Sequence, residues 1–346
     1  MMKSNRLFLT AMLSLATLSA AQATDYIRYV SKSQGAYNNS GLSWSTAKMN
    51  VQDAINDIKD KLDAGDRGYI FVDAGIYKPT QAIAGSGSSS TLYMSIQIPA
   101  GISVYGGFNG TETGSSAREI IGKRETVATE VGTYMKNRTV FTGSLSGEAD
   151  FVWNDTKHRY NTSYYGNCYH VVWFATNGYT TDGEGVKRYN ALADSAVLDG
   201  VVIRDGYAYN NDINRVSHNA FGGGAYLVDN AIVRNCEVYH CESSRGGGGL
   251  YLDRGGRVEN CYVHDCQSLG VNSTSGFGGG VMVDQKGLVS HCALINNVGR
   301  SGGGLSLNYD TSAEATGAGQ YALAAAACLV AQNVSTVEAG GVYLNK

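Results

Sequence analysis

Three pairs of neighbouring residues carry groups that can transfer protons: Arg204–Asp205, Tyr239–His240 and His264–Asp265. On one surface, an acid, a base and a cation can abstract a proton from a uronic acid, as a lyase does, or cleave a glycosidic bond. Arg204, Asp205, His240, His264 and Asp265 are therefore the candidate catalytic face. The plainer reading, preferred here, is the solvated polar edge of a strand. The next equivalent pair is Ile295–Asn296, so the pattern is local.

A second set is Asp253, Asp284 and Asn308, continued by Asn345 and offset by one at Asp229. Carboxylates stacked about 4.8 Å apart can hold calcium, which takes oxygen ligands. The alternative is that Asp and Asn open a turn by bonding their own backbone. The register slip at Asp229 favours the turn. Seven cysteines form a third set, in which Cys236, Cys261, Cys292 and Cys328 share one column and Cys241 and Cys266 another. Metal binding needs ligands that converge on a point, whereas a column spreads them along an axis. Buried cysteines behave as small apolar residues, so these read as scaffold. A disulfide between rungs would strain the parallel geometry. Tyr226, Tyr251 and Tyr343 occupy outward strand positions and can stack on sugars, but tyrosine is also a good strand former.

The element that positions these residues is a repeat. Gly222–Gly224, Gly247–Gly249, Gly278–Gly280, Gly302–Gly304 and the shorter Gly340–Gly341 each lead into alternating apolar residues such as Leu250-Tyr251-Leu252. From Ala225 to Cys236, Leu250 to Cys261 and Val281 to Cys292 the step is 11 residues each time. From Leu305 to Cys328 it is 23, which places an insertion around Thr311–Ala324. The return from cysteine to the first residue after the next glycine run varies between 13 and 20 residues. Stacked strands account for the constant half and exposed loops for the variable half. Period-two alternation excludes a helix here. The repeat predicts an all-β, right-handed parallel β-helix, with regular coils over about 197–346.

Earlier coils of the same architecture are expected at Tyr69–Val72, Ile96–Tyr105, Thr139–Thr142, Tyr169–Phe174 and Ala196–Ile203. Met49–Leu62 is amphipathic, with Val51, Ala54, Ile55, Ile58 and Leu62 on one stripe. A single helix before the first coil, within a cap of about 24–66, is what an open β-helix end requires.

Composition agrees. Glycine supplies 45 of 346 residues, nearly twice the usual share of roughly 7%, and proline only two. That pairing excludes collagen and proline-rich linkers and fits many tight turns between hydrogen-bonded strands. A net charge of −3 without a basic run gives no footprint for nucleic acid. At the N-terminus, Lys3 and Arg6 precede an apolar run, and Ala21-Gln22-Ala23 supplies a small-x-small cleavage pattern. Residues 1–23 therefore read as a cleavable signal peptide, leaving one domain over 24–346. No later stretch is long and apolar enough for a transmembrane helix.

These glycine-run and Cys-x-aliphatic strands resemble the polymorphic outer-membrane-protein repeats of the pectate-lyase-like β-helix class. The second motif of those repeats, Phe-x-x-Asn, survives loosely at Leu294-x-x-Asn297 and Val330-x-x-Asn333, with Cys241 and Cys266 in the Asn slot of earlier coils. Upstream, Tyr29-Val30-Ser31, Leu42-Ser43-Trp44, Val72–Tyr77, Val104–Phe108 and Val197–Gly200 resemble secreted β-helix proteins of Bacteroidetes type. The resemblance implies a cell-surface, outer-membrane or secreted protein, often adhesin-like, and no particular enzyme activity. Hydrolytic members of the class would call for clustered aspartates with Gly-His-Gly and Arg-x-Lys segments, which are absent. Such proteins commonly carry a C-terminal barrel or sorting domain. This sequence stops directly after the strand at Val342, as a truncated product or part of a longer protein would. The expected function is a non-catalytic binding or structural module whose partner is an extracellular glycan or a host or cell-surface protein. The alternative is a polysaccharide lyase or glycoside hydrolase.

Overall fold

The computed structural model describes residues 23–83, 90–112, 114–123, 133–145, 150–163, 166–174, 179–181, 187–189, 192–209, 218–272, 275–308 and 323–345. The expected signal peptide falls almost wholly outside them, as does most of the insertion expected near Thr311–Ala324.

The described chain is mostly β, in long parallel sheets that stack strand on strand. One pass of the regular region shows the plan. Ala225–Val228 lies in sheet 1, Ala231–Arg234 in sheet 2, Glu237–Tyr239 in sheet 3 and Glu242–Ser243 in sheet 4, after which Leu250–Asp253 returns to sheet 1 beside Ala225–Val228. Each pass stays in register with the next, for example Ile203↔Val238↔Val263↔Leu294↔Val330 in sheet 3. The repeat arithmetic had located sheets 1 and 3. Sheets 2 and 4 lie between them.

The expected early coils are present, but two of the runs are split, and Ala196–Ile203 becomes Ala196–Asp199 in sheet 2 and Val202–Arg204 in sheet 3. Ile96–Tyr105 is two strands, Met94–Gln97 in sheet 1 and Ile102–Phe108 in sheet 2. The break falls at Pro99, which lacks the N–H that a continuous strand would need. The amphipathic helix runs Val51–Lys59 and buries Val51, Ala54, Ile55 and Ile58 against the first strands. No helix of the described residues is long and apolar enough to cross a membrane.

Four corners join the four sheets, and each is turned by a left-handed residue. Gly222, Gly247, Gly278 and Gly302, with φ between 59° and 68°, open the glycine runs. The second glycine is needed for a different reason, because a Cβ on Gly248 would lie 2.3 Å from both Gln267 O and Gly279 O. Two of the other corners use mostly non-glycine residues. Asn235, Asn260, His291 and Ala327 turn sheet 2 into sheet 3, and Asp205, His240, Asp265, Asn296 and Gln332 turn sheet 3 into sheet 4, all with φ between 49° and 64°. Asn, Asp and His tolerate this region better than most side chains.

The main interior cluster is filled by Leu227, Val233, Val238 and their equivalents on each pass, with Cys236, Cys261 and Cys292 in the next column, and Trp44, Phe71 and Phe108 form a second, smaller one. All seven cysteines are free. Each column cysteine directs its sulfur at the carbonyl two residues earlier, as Cys236 Sγ does to Arg234 O at 3.1 Å and Cys261 Sγ to Glu259 O at 3.3 Å. In the other column Cys241 and Cys266 give way to Asn297 and Asn333. Their amides stack, Asn297 Nδ2 donating to Asn333 Oδ1 at 3.1 Å, and also reach carbonyls of the preceding coil. Burial raises the thiols of Cys261 and Cys266, keeping them protonated.

Sheet 1 has no bare outer face in the regular region. Tyr226 and Tyr251, expected to point outward, are only 2% and 1% exposed. A strip of chain containing Phe221, Gly246, Phe277 and Ser301, itself bridged from pass to pass, folds over them. His170 and Trp173 pack beneath the same layer, against Tyr226.

Candidate functional site

Sheet 3 presents two outward columns. One runs Val202, Glu237, Tyr262, Ala293 and the other Arg204, Tyr239, His264, Ile295. The corner column Asp205, His240, Asp265, Asn296 follows directly. The structure thus brings the five sequence-marked residues onto one edge.

Their partners differ sharply along that edge. Asp205 is buried at 3% exposure. Its Oδ2 accepts the Thr142 hydroxyl at 2.7 Å and lies 3.4 Å from Arg204 Nε. Asn167 Nδ2 donates to its backbone carbonyl at 2.8 Å. Through these bonds it holds two coils together. His264 sits between two carboxylates, with Nδ1 at 2.6 Å from Asp265 Oδ2 and Nε2 at 3.2 Å from Glu237 Oε1. Arg138 donates to the other Glu237 oxygen at 2.7 Å. The imidazole is stacked between Tyr262 and Tyr239, at centroid distances of 4.0 and 5.2 Å.

Electrostatics separates the two histidines. Burial opposes a charge on His264, but the hydrogen bonds to Asp265 and Glu237 outweigh it and hold its pKa above the usual imidazole value. Burial also opposes charge on Asp265, and the bonds from His264 and Tyr160 override it, so that carboxyl lies below its ordinary range. His240 goes the other way, because burial dominates the weaker attraction of Asp265 and lowers it. A proton held at His264 between two acids, beside a neutral His240, is an arrangement that can donate or accept.

Sequence reasoning missed Glu237 and Tyr160. Glu237 was within reach, since it lies two residues before Tyr239 and so shares its face. Tyr160 was not. It lies on the antiparallel hairpin Asp150–Asn154/Arg159–Ser163, which leaves its own coil near the Ser144–Asn167 bridge. The hairpin passes the rungs of Asp205 and His240, and Tyr160 Oη donates to Asp265 Oδ1 at 2.5 Å, with Asn296 O a second acceptor 3.1 Å away. The Gln267 amide bonds the Tyr160 backbone on both sides, at 3.0 and 3.2 Å, and reaches Glu242 at 2.7 Å.

The calcium candidates stack in register as expected, Asp253↔Asp284↔Asn308. Their oxygens are bound in a way that neither sequence reading anticipated. Tyr226 Oη donates to Asp253 Oδ2 at 2.7 Å and Tyr251 Oη to Asp284 Oδ2 at 2.8 Å, while Asn308 Nδ2 donates to Asp284 Oδ1 at 2.7 Å. Each tyrosine ties its coil to the next. Among the described residues no three His, Cys, Asp or Glu side chains are grouped as a metal would need. Comparison with family models, with curated proteins and with solved structures gives no match, so geometry alone carries the functional reading.

Proposed function

We propose that this chain is an exported, right-handed parallel β-helix of the pectate-lyase-like class, covered at its N-terminal end by the helix Val51–Lys59. It acts at the cell surface, in the outer membrane or outside the cell as a non-catalytic binding or structural module. Its partner is an extracellular glycan or a host or cell-surface protein. One observation carries the non-catalytic reading. Three of the five candidate catalytic residues, Asp205, His240 and Asp265, occupy the left-handed corner, where Asn296 and Gln332 stand on later coils. Conformation thus explains residue types that otherwise suggest chemistry.

A second reading remains, an enzyme acting on acidic or neutral polysaccharide, and the Glu237–His264–Asp265 group is what favours it. The mature protein, incubated with uronic-acid and neutral glycans with and without calcium, separates the two. We expect neither unsaturated products nor new reducing ends. We also expect a His264→Ala/Asp265→Ala double variant to bind glycan as the parent does. Turnover by the parent that disappears in the double variant would establish the enzyme reading instead.

A further inference from the structure

The corner between sheets 1 and 2 carries a concave feature. Three consecutive coils turn it tightly, at Asp229–Asn230, Arg254–Gly256 and Gln285–Lys286. They leave a cleft of about 270 Å³. The middle turn is cut back to glycine of necessity. Gly255 has φ 149°, and a Cβ there would lie 2.6 Å from Asp229 Cα. Lys286 crosses above it to form an ion pair with Asp229 on the coil two rungs away. The floor is the outward column Ile232↔Arg257↔Leu288, an apolar residue on each side of a cation. Arg257 is half-exposed, with Glu259 3.5 Å away as its ion partner.

The wall toward the preceding coil is held in place. Leu192 N donates to Asp229 O at 3.1 Å, Asn230 Nδ2 donates to Leu192 O at 2.8 Å, and Arg67 pairs with Asp194 at 2.6 Å. Little ordering cost is left for a ligand to meet.

We infer that this cleft binds a small amphipathic carboxylate, its acid on Arg257 and Lys286 and its apolar body over Ile232 and Leu288. The two cations are balanced by Asp229 and Glu259, so a carboxylate is selected by donor geometry and not by net charge. A guanidinium offers five N–H donors in a planar fork, of which one edge suffices for Glu259, and that fork matches a carboxylate bidentately. Apolar contacts on both sides of the cation reward a body that an inorganic anion lacks. The inference rests on the reading of a binding module and gives it a ligand class.

The test is calorimetric titration of the mature chain with 3-phenylpropionate, with its uncharged amide and with inorganic phosphate. The acid is expected to bind, more weakly as ionic strength rises, and the amide and phosphate at least tenfold less tightly. Arg257→Gln and Lys286→Met should each weaken the acid about tenfold, the loss expected of one charge-assisted bond. Arg257→Gln, being surface-exposed, should leave the melting temperature unchanged. Equal binding of the amide or of phosphate overturns the inference, as does unaltered binding in Arg257→Gln or no binding of the acid at all. None of these outcomes bears on the module reading, which the glycan incubation decides with variants on a different face.

Discussion

At the scale of the residue, the corners decide most. Ala327 and Ala339 sit at φ 52° in columns otherwise held by Asn, His and Gly. A left-handed alanine costs about 1 kcal/mol or more, and the greater freedom of glycine when unfolded returns only part of that. Ala327→Gly and Ala339→Gly should therefore stabilise the protein by roughly 0.5 kcal/mol each, the reverse of the usual sign. Urea denaturation of the two variants measures this, and a destabilisation would show the strain to be absent. The His264 group gives a second prediction. Its raised pKa comes from Asp265 and Glu237 overriding burial, so Asp265→Asn should lower the His264 midpoint followed by NMR. An unmoved midpoint would mean that Asp265 does not hold the proton there.

At the scale of the element, the hairpin Asp150–Ser163 is an arm laid across coils it does not belong to. Removing the Tyr160 hydroxyl removes its bonds to Asp265 and Asn296. Tyr160→Phe should cost about 1–2 kcal/mol locally, read as faster proteolysis within the hairpin while the melting of the coils barely moves. The strands were largely legible in the sequence because stacking imposes a strict repeat, visible in the 11-residue step. Two things were not legible. Tyr226 and Tyr251 alternate as outward residues should, but a second layer covers them, and period-two patterning cannot show what lies outside a sheet. The contact between Tyr160 and Asp265 joins residues 105 positions apart, and no local pattern encodes it. The five candidate site residues were gathered correctly onto one edge, yet their types owe as much to backbone conformation as to chemistry. The signal was present in the Asp, His, Asp, Asn succession, which is the set that tolerates positive φ.

At the scale of the molecule, stability depends on groups buried between coils. His170 is fully buried, its Nδ1 2.9 Å from Gly222 O, and burial pushes its pKa down to about 4. The unfolded chain binds that proton from about pH 6.5 downward and the folded chain only near 4, so its contribution is complete above 6.5 and is lost as pH falls toward 4. The loss reaches roughly 3 kcal/mol. His264 has the opposite sign, stabilising below its unfolded value and losing that contribution as pH rises. His170→Phe should flatten the acid side of a melting-temperature profile, and a profile unchanged by the substitution would exclude His170 as its source. Thiol labelling reads the same burial. Cys328 is half-buried whereas the other six cysteines are buried, so a maleimide should modify Cys328 first and the rest only on unfolding. The hairpin has a mechanical consequence too. A chain whose coils touch only their neighbours unravels under tension one turn at a time. Here Tyr160 splices the turn it leaves to the turns of Asp265 and Asn296, so tension cannot free the turns between them separately. Pulled from its ends, the molecule should yield that stretch as a single long extension, and Tyr160→Phe combined with Gln267→Ala, which also removes the bonds to the Tyr160 backbone, should divide it into a staircase of short ones.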